Sequence, residues 1–186
     1  MKFKFLYVLI TFAIIAFTPI MTNSDSHDRN MDQFLWVYSH VAKSNPSLLD
    51  PEEVSNYILD ASSRLLNGNY KLSTCIMKTE SHFNNIKKGD SNSSYGVGQM
   101  HREAMVDSCI YLGLRNCNQK YLIRKMQKDI LFSIELSIGY MSILQKHYGV
   151  HNIRKILASY NSGVYNTDHS RYNRAYVKKV YSCIKH

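Results

Sequence analysis

Apolar residues along this chain recur three and four positions apart, the spacing of one helix face, and no convincing stretch alternates as a half-buried strand would. From Met31 to Lys43 the stripe is Phe34, Leu35, Val37, Tyr38 and Val41, and Asn45-Pro46 ends it. A second helix opens at Asp50-Pro51-Glu52-Glu53, which supplies an N-cap, a proline at the first helical position and a capping-box acid. Val54, Ile58, Ala61 and Leu65 carry it to a stop at Asn67-Gly68. Asn69 can cap a third helix whose stripe is Leu72, Cys75, Ile76, Thr79 and Phe83. The polar, glycine-containing run from Asn85 to Ser94 predicts a loop, and a helix follows Met100 to about Leu112. A long helix is expected from about Lys125 to Tyr148 through Ile130, Leu131, Ile134, Ile138, Met141 and Leu144, closed by Gly149. Asn152 can cap a shorter one through Ile156, Leu157 and Tyr160 to Gly163, and Tyr176, Val177, Val180 and Ile184 make the tail helical from Tyr172 to Ile184. With no internal repeat, the expected fold is all-α with at most a minimal β or irregular loop segment.

The N-terminus changes the picture of where the protein works. Lys2 and Lys4 precede an apolar run from Phe5 to Phe17, the form of a secretory signal, so residues 1–24 are read as a signal peptide. An uncleaved anchor is the alternative and the only route to a membrane. Residues 25–68 are then N-terminal helices packing on a catalytic domain at 69–186, with Ser24 to Asn30 a disordered new terminus. The protein is expected to be exported, to the periplasm or cell envelope.

Charge and cysteines narrow the partners. The formal charge of +9 falls to about +7 once Lys2 and Lys4 are removed. The basic residues are scattered, not gathered into an arm or an Arg-rich helix, so no nucleic-acid partner is expected and an anionic envelope polymer fits better. Four cysteines in an exported chain allow two disulfides in three connectivities. Cys109 and Cys117 flank a short connector and form the favoured local pair, which leaves Cys75 to meet Cys183. Cys75 as a buried apolar thiol is the competing reading. The cysteine spacings are not those of zinc ligands and the histidines form no ligand pattern, so neither metal nor cofactor is expected.

Glu80 is the residue on which chemistry centres. It stands beside the apolar stripe, four residues after Ile76 and three before Phe83, near the predicted helix end. Loss of water there disfavours the charged carboxylate and raises its pKa, which suits a general acid near neutral pH. A solvated surface glutamate is the bland alternative. Three separated segments share its character: Glu80 to Asn84, Ser94 to Met100, and Ala158 to Gly163. Each lies at a helix end or loop and carries amide, hydroxyl or aromatic groups suited to sugar hydroxyls, N-acetyl groups and ring faces.

These segments resemble the motifs of the soluble lytic transglycosylase catalytic domain of the lysozyme-like superfamily, including its small stand-alone members associated with secretion and conjugation systems. Glu-Ser-x-Phe stands as Glu80-Ser81-His82-Phe83, and serine followed by Gly-x-x-Gln as Ser94 to Gln99. Ala-x-Tyr-Asn-x-Gly stands as Ala158 to Gly163, Tyr-Leu as Tyr140-Met141, and the tail's Tyr-Val-x-x-Val as Tyr176 to Val180. The likeness runs from about residue 70 to 181. The chain departs from the pattern at Gly98, where many members have Met, at Ser133-Ile134 in place of Asn-Ile, and at His101-Arg102, where no proline follows Met100.

The resemblance implies an α-helical lysozyme-like domain of the goose-type-lysozyme architecture, acting on peptidoglycan glycan strands. It implies cleavage of the β-1,4 bond between N-acetylmuramic acid and N-acetylglucosamine with formation of 1,6-anhydromuramoyl ends. Glu80 acts first as acid and then as base, and one carboxylate suffices. Ser81, Ser94, Gln99, Met100, Tyr140, Tyr160 and Asn161 form the substrate-binding set, with helix capping, loop positioning and core packing as the alternatives for its members. His82 is a poor base, and components of an envelope-spanning secretion or conjugation system are the expected protein partners. A hydrolytic muramidase would need a second carboxylate, for which Asp90, Glu103 and Asp107 are the candidates. A non-catalytic peptidoglycan-binding assembly protein is the remaining alternative.

Overall fold

The computed structural model describes residues 24–48, 50–85, 93–163 and 173–186. Residues 1–23 of the proposed signal peptide, and Asp90, lie outside the described residues. Two compact units divide after Asp32. Of the first, residues 24–32 are described, and they form the start of α1 (Ser24–Ser44), so Ser24 to Asn30 are helical and not the disordered terminus expected.

The second unit, Gln33–His186, contains the rest. It comprises the remainder of α1, then α2 (Pro51–Leu65), α3 (Tyr70–Ser81), α4 (Arg102–Tyr111), α5 (Gln119–Lys128), α6 (Ile130–Tyr148), α7 (Ile153–Ser162) and α8 (Asn173–Lys185). The fold is all-α. Among the described residues its β structure is one antiparallel bridge, between Tyr95 and Met100. No described helix is long and apolar enough to cross a membrane. Within this unit α2, from the segment 25–68 expected to pack on the catalytic domain, packs on both α3 and α6.

Local chemistry explains the boundaries. Asp50 accepts from the Glu53 amide at 2.8 Å, Asn69 from Leu72 at 3.3 Å, and Asn118 from Lys120 and Tyr121. The long helix expected from Lys125 to Tyr148 is broken at Asp129, which is extended (φ −130°, ψ 103°). Its carboxylate accepts from the Phe132 amide at 2.9 Å, so this residue ends α5 and caps α6. A short polar residue can compete with the helical backbone in this way, although the apolar stripe runs through uninterrupted.

α6 is the axis of the unit, packed against α2, α3, α4, α5 and α7. Ile134, Leu136, Ile138, Met141 and Leu144 are fully buried, and so are Ser133 and Ser137 on the same helix. A helix apolar nearly all round belongs in the middle of a bundle. Gly139 lets α4 approach, since a Cβ there would meet Ser108 Oγ and Leu112. Ser108 in turn donates to the Leu136 carbonyl at 2.7 Å. Two disulfides, Cys75–Cys183 and Cys109–Cys117, staple α8 to α3 and close the connector after α4.

Candidate functional site

Glu80 occupies the last turn of α3, where the negative end of the helix dipole is an unfavourable place for a carboxylate. The helix stops abruptly after it. His82 and Phe83 both adopt left-handed backbone, φ 54° and 59°. Such a conformation is costly for a bulky residue and persists only when its surroundings enforce it. Here they do. The Phe83 side chain is fully buried, and Asn45, just past α1, donates to the Phe83 carbonyl at 3.2 Å. The Asn84 side chain donates to the Ser81 carbonyl at 3.0 Å. The stop therefore fixes Glu80 at the rim of the core, with His82 exposed and turned to solvent.

Ser81 ties this stop to the second segment. Its hydroxyl, 3 % exposed, donates to the Val97 carbonyl at 2.7 Å. Tyr95 and Met100 exchange backbone hydrogen bonds at 3.1 and 2.9 Å, which closes a four-residue turn from Gly96 to Gln99. Gly96 (φ 74°) and Gln99 (φ 46°) are left-handed, and a Cβ on Gly96 would strike Ser133 Oγ. The Gln99 amide is folded inward, its Nε2 donating to the Gly96 carbonyl at 2.7 Å and its Oε1 accepting from Ser94 at 3.0 Å. Ser133 on α6 accepts from the Val97 amide at 2.8 Å. Ser81 and Ser94 are thus both buried and both hydrogen-bonded to the turn. Gln99 also lines the cleft described below.

The third segment closes the site from α7. The Tyr160 hydroxyl donates to the Gly98 carbonyl at 2.8 Å, and its ring lies against Tyr140 with centroids 5.7 Å apart. Burial pushes the Tyr160 hydroxyl well above its ordinary pKa, and the charge of Glu80 pushes it further. Tyr176 on α8 donates to Glu80 Oε1 at 2.6 Å. Its pKa is likewise raised well above the ordinary phenol value, by burial first and then by the charge and hydrogen bond of Glu80. Both tyrosines therefore stay protonated, and so able to donate, through the whole neutral range.

Beside this cluster lies a cleft of about 270 Å³, lined by Gln99, Met100, Tyr140, Tyr160 and Asn161 together with Glu103 and Asp107 of α4. Glu80 is not among its lining residues. Its link to the cleft is Tyr160, which forms part of the wall and responds to the Glu80 charge. Asn161 is exposed, while Met100 and Tyr140 show only 2 % and 8 % of their surface. Among the described residues no group of three His, Cys, Asp or Glu side chains could hold a metal ion.

Tyr176, Asn45 and Ser133 hold the site in place, yet the sequence reading gives none of them a site role, and Ser133 enters it only as a departure from Asn-Ile. Tyr176 falls at helical spacing with Val180 and Ile184, which reads as core. Its place in the Tyr-Val-x-x-Val likeness is the one signal that could have drawn attention to it. In comparison with known proteins, this chain matches no protein-family model, no curated protein and no solved structure.

Proposed function

We propose that this chain is a peptidoglycan lytic transglycosylase that opens the cell wall locally. The observation that carries the reading is the 2.6 Å hydrogen bond from Tyr176 to Glu80, made where segments remote in sequence meet around one carboxylate. Glu80 gives its proton to the glycosidic oxygen as the bond to C1 of the muramoyl residue breaks. It then takes the proton of the muramoyl C6 hydroxyl as that oxygen bonds to C1. The second transfer restores the acid and leaves a 1,6-anhydro ring, with no water consumed. Tyr176 stabilises the carboxylate that exists between the two transfers. A positioned acid and base supplies about 10²–10⁴ in rate, with glycan positioning in the cleft providing the remainder.

The two disulfides support export, since such bridges persist in oxidising compartments. Components of an envelope-spanning secretion or conjugation system are the protein partners consistent with a small exported wall-opening enzyme.

One observation favours a second reading. Glu103 and Asp107 line the same cleft, so a hydrolase with paired carboxylates has candidates in place. Digestion of purified peptidoglycan followed by mass spectrometry separates the two. Products lighter by one water, with anhydro ends, support the transglycosylase; reducing ends support the hydrolase; no release leaves only glycan binding. Glu80→Gln abolishes release while glycan binding persists, and an active variant would refute the role of Glu80.

A further inference from the structure

A second concavity lies away from the cleft, between α7 and α8. It is a groove of about 640 Å³. Its rim carries Arg154 and Lys155 from α7, and Arg174, Lys178 and Lys185 from α8. Its floor is apolar, built from Ala158 and Val177, with Tyr181 beneath the Lys185 ammonium at 5.0 Å from the ring centroid.

Among the described residues this charge meets no carboxylate: none lines the groove, and none of the five cations has an ion-pair partner. Neither α7 nor α8 has an acid in its first turn, although that is where acids are favoured. Arg154, Lys155 and Arg174 stand there instead, adding positive charge to the positive ends of two helix dipoles. These choices oppose local helix stability, so their explanation lies in what the groove meets.

We propose that the α7–α8 groove docks an acidic amphipathic helical segment of a partner protein. Arg174 and Lys185 are eleven residues apart on α8, which spans about 16 Å, or some three helical turns of the occupant. Apolar side chains of the segment fill the floor over Val177 and Ala158, and its carboxylates meet the rim. A bilayer surface is too flat to reach the floor of a concave groove, and a phosphodiester strand would leave the apolar floor uncovered. The opposite face of α8 presents Tyr176 to Glu80, so the segment grips the helix that carries the positioning tyrosine without entering the cleft.

The test is fluorescence anisotropy on the full chain, with a labelled synthetic helix of about 14 residues carrying leucine on one face and glutamate on the other. Binding is expected, weakening as salt rises. It should fall about tenfold in Arg174→Glu/Lys178→Glu, and independently in Lys155→Glu/Lys185→Glu, since reversing two rim charges converts two attractions into repulsions. A control peptide with lysine in place of glutamate should not bind. Neither double variant lowers melting or peptidoglycan release, since Lys155→Glu and Arg174→Glu place acids in first turns where they are favoured, so failure here is distinguishable from failure of the proposed activity. Equal binding of the glutamate and lysine peptides, or unchanged binding by both double variants, overturns the proposal. So does tighter binding to phosphatidylglycerol vesicles or to oligo-dT with the same sensitivity to those variants.

Discussion

Tyr176→Phe isolates one atom of the proposed machinery. The substitution keeps the ring that packs beside α3 and removes the hydroxyl that donates to Glu80 Oε1 at 2.6 Å. Hydrogen bonds to charged groups contribute roughly 1.5–3 kcal/mol, and partial solvent access at Glu80 places this one near the lower end. About 1.5 kcal/mol lost from the state in which Glu80 is ionised slows turnover about tenfold. The carboxylate loses a donor while the neutral acid loses less, so the alkaline limb of the pH–rate profile moves to higher pH. The assay is release of soluble fragments from purified peptidoglycan across pH, with thermal melting in parallel. A merely structural tyrosine would change melting and leave the shape of the pH profile alone. Unchanged rate and profile in a well-folded variant would refute the assignment of Tyr176 as the partner of the acid.

Other outcomes follow from the same geometry. Replacing Cys75 and Cys183 by alanine opens a loop of 108 residues and should cost about 5 kcal/mol on the chain-entropy account, against about 2.5 kcal/mol for the 8-residue separation of Cys109 and Cys117; equal losses in chemical denaturation would contradict it. His40 is partly buried against Trp36, with ring centroids 4.0 Å apart, and burial, followed by the nearby lysines, holds its pKa below the ordinary 6.5. Because the folded state binds that proton less readily, stability is full above pH 6.5 and falls as the pH drops below it; His40→Gln should flatten this slope, and an identical slope would refute the attribution. Tyr57 shows the opposite sign: burial and the Glu135 carboxylate that it bonds at 2.9 Å raise its pKa far above 10, so its contribution is intact below pH 10 and is lost at higher pH, an effect that Tyr57→Phe removes in alkaline melting curves.

How far the sequence reveals this molecule depends on the range of the interaction involved. Helices with their own caps are legible from local chemistry alone, as at Asp50 and Asn69. The break at Asp129 is not, because the apolar stripe continues across it and only the side-chain bond to Phe132 declares it. The prominence of Glu80 is legible from its place at the margin of a stripe. Its surroundings are not, because Tyr176 approaches from 96 residues away and Asn45 steadies Phe83 from 38 residues away. The same limit applies to Ser81 and Ser94. A serine in a motif does not declare its burial or its acceptor, which here are the Val97 carbonyl for Ser81 and Gln99 Oε1 for Ser94.

Gly98 shows how a departure from a pattern is absorbed. Its backbone is not left-handed, so alanine is conformationally acceptable there and the obstacle is space. A Cβ would meet Ser137 Oγ and would lie 2.5 Å from the Tyr160 hydroxyl, which is itself bonded to the Gly98 carbonyl. Side chains at 98, 137 and 160 therefore compete for one volume, and glycine at 98 is what lets Tyr160 reach the turn. Gly98→Ala should destabilise by about 1–3 kcal/mol, as overpacking of a filled core does. Adding Ser137→Ala removes the Oγ contact and recovers part of the loss, because the Tyr160 hydroxyl at 2.5 Å and the Cβ of residue 137 at 2.8 Å still crowd the site. The two changes are then non-additive in a double-mutant cycle read by chemical denaturation. Peptidoglycan release should fall further than the stability loss explains, since Tyr160 is displaced from the wall that joins Glu80 to the cleft. Strict additivity, or full release by Gly98→Ala, would mean that Tyr160 and the turn are not one unit, and that the cleft does not depend on glycine at 98.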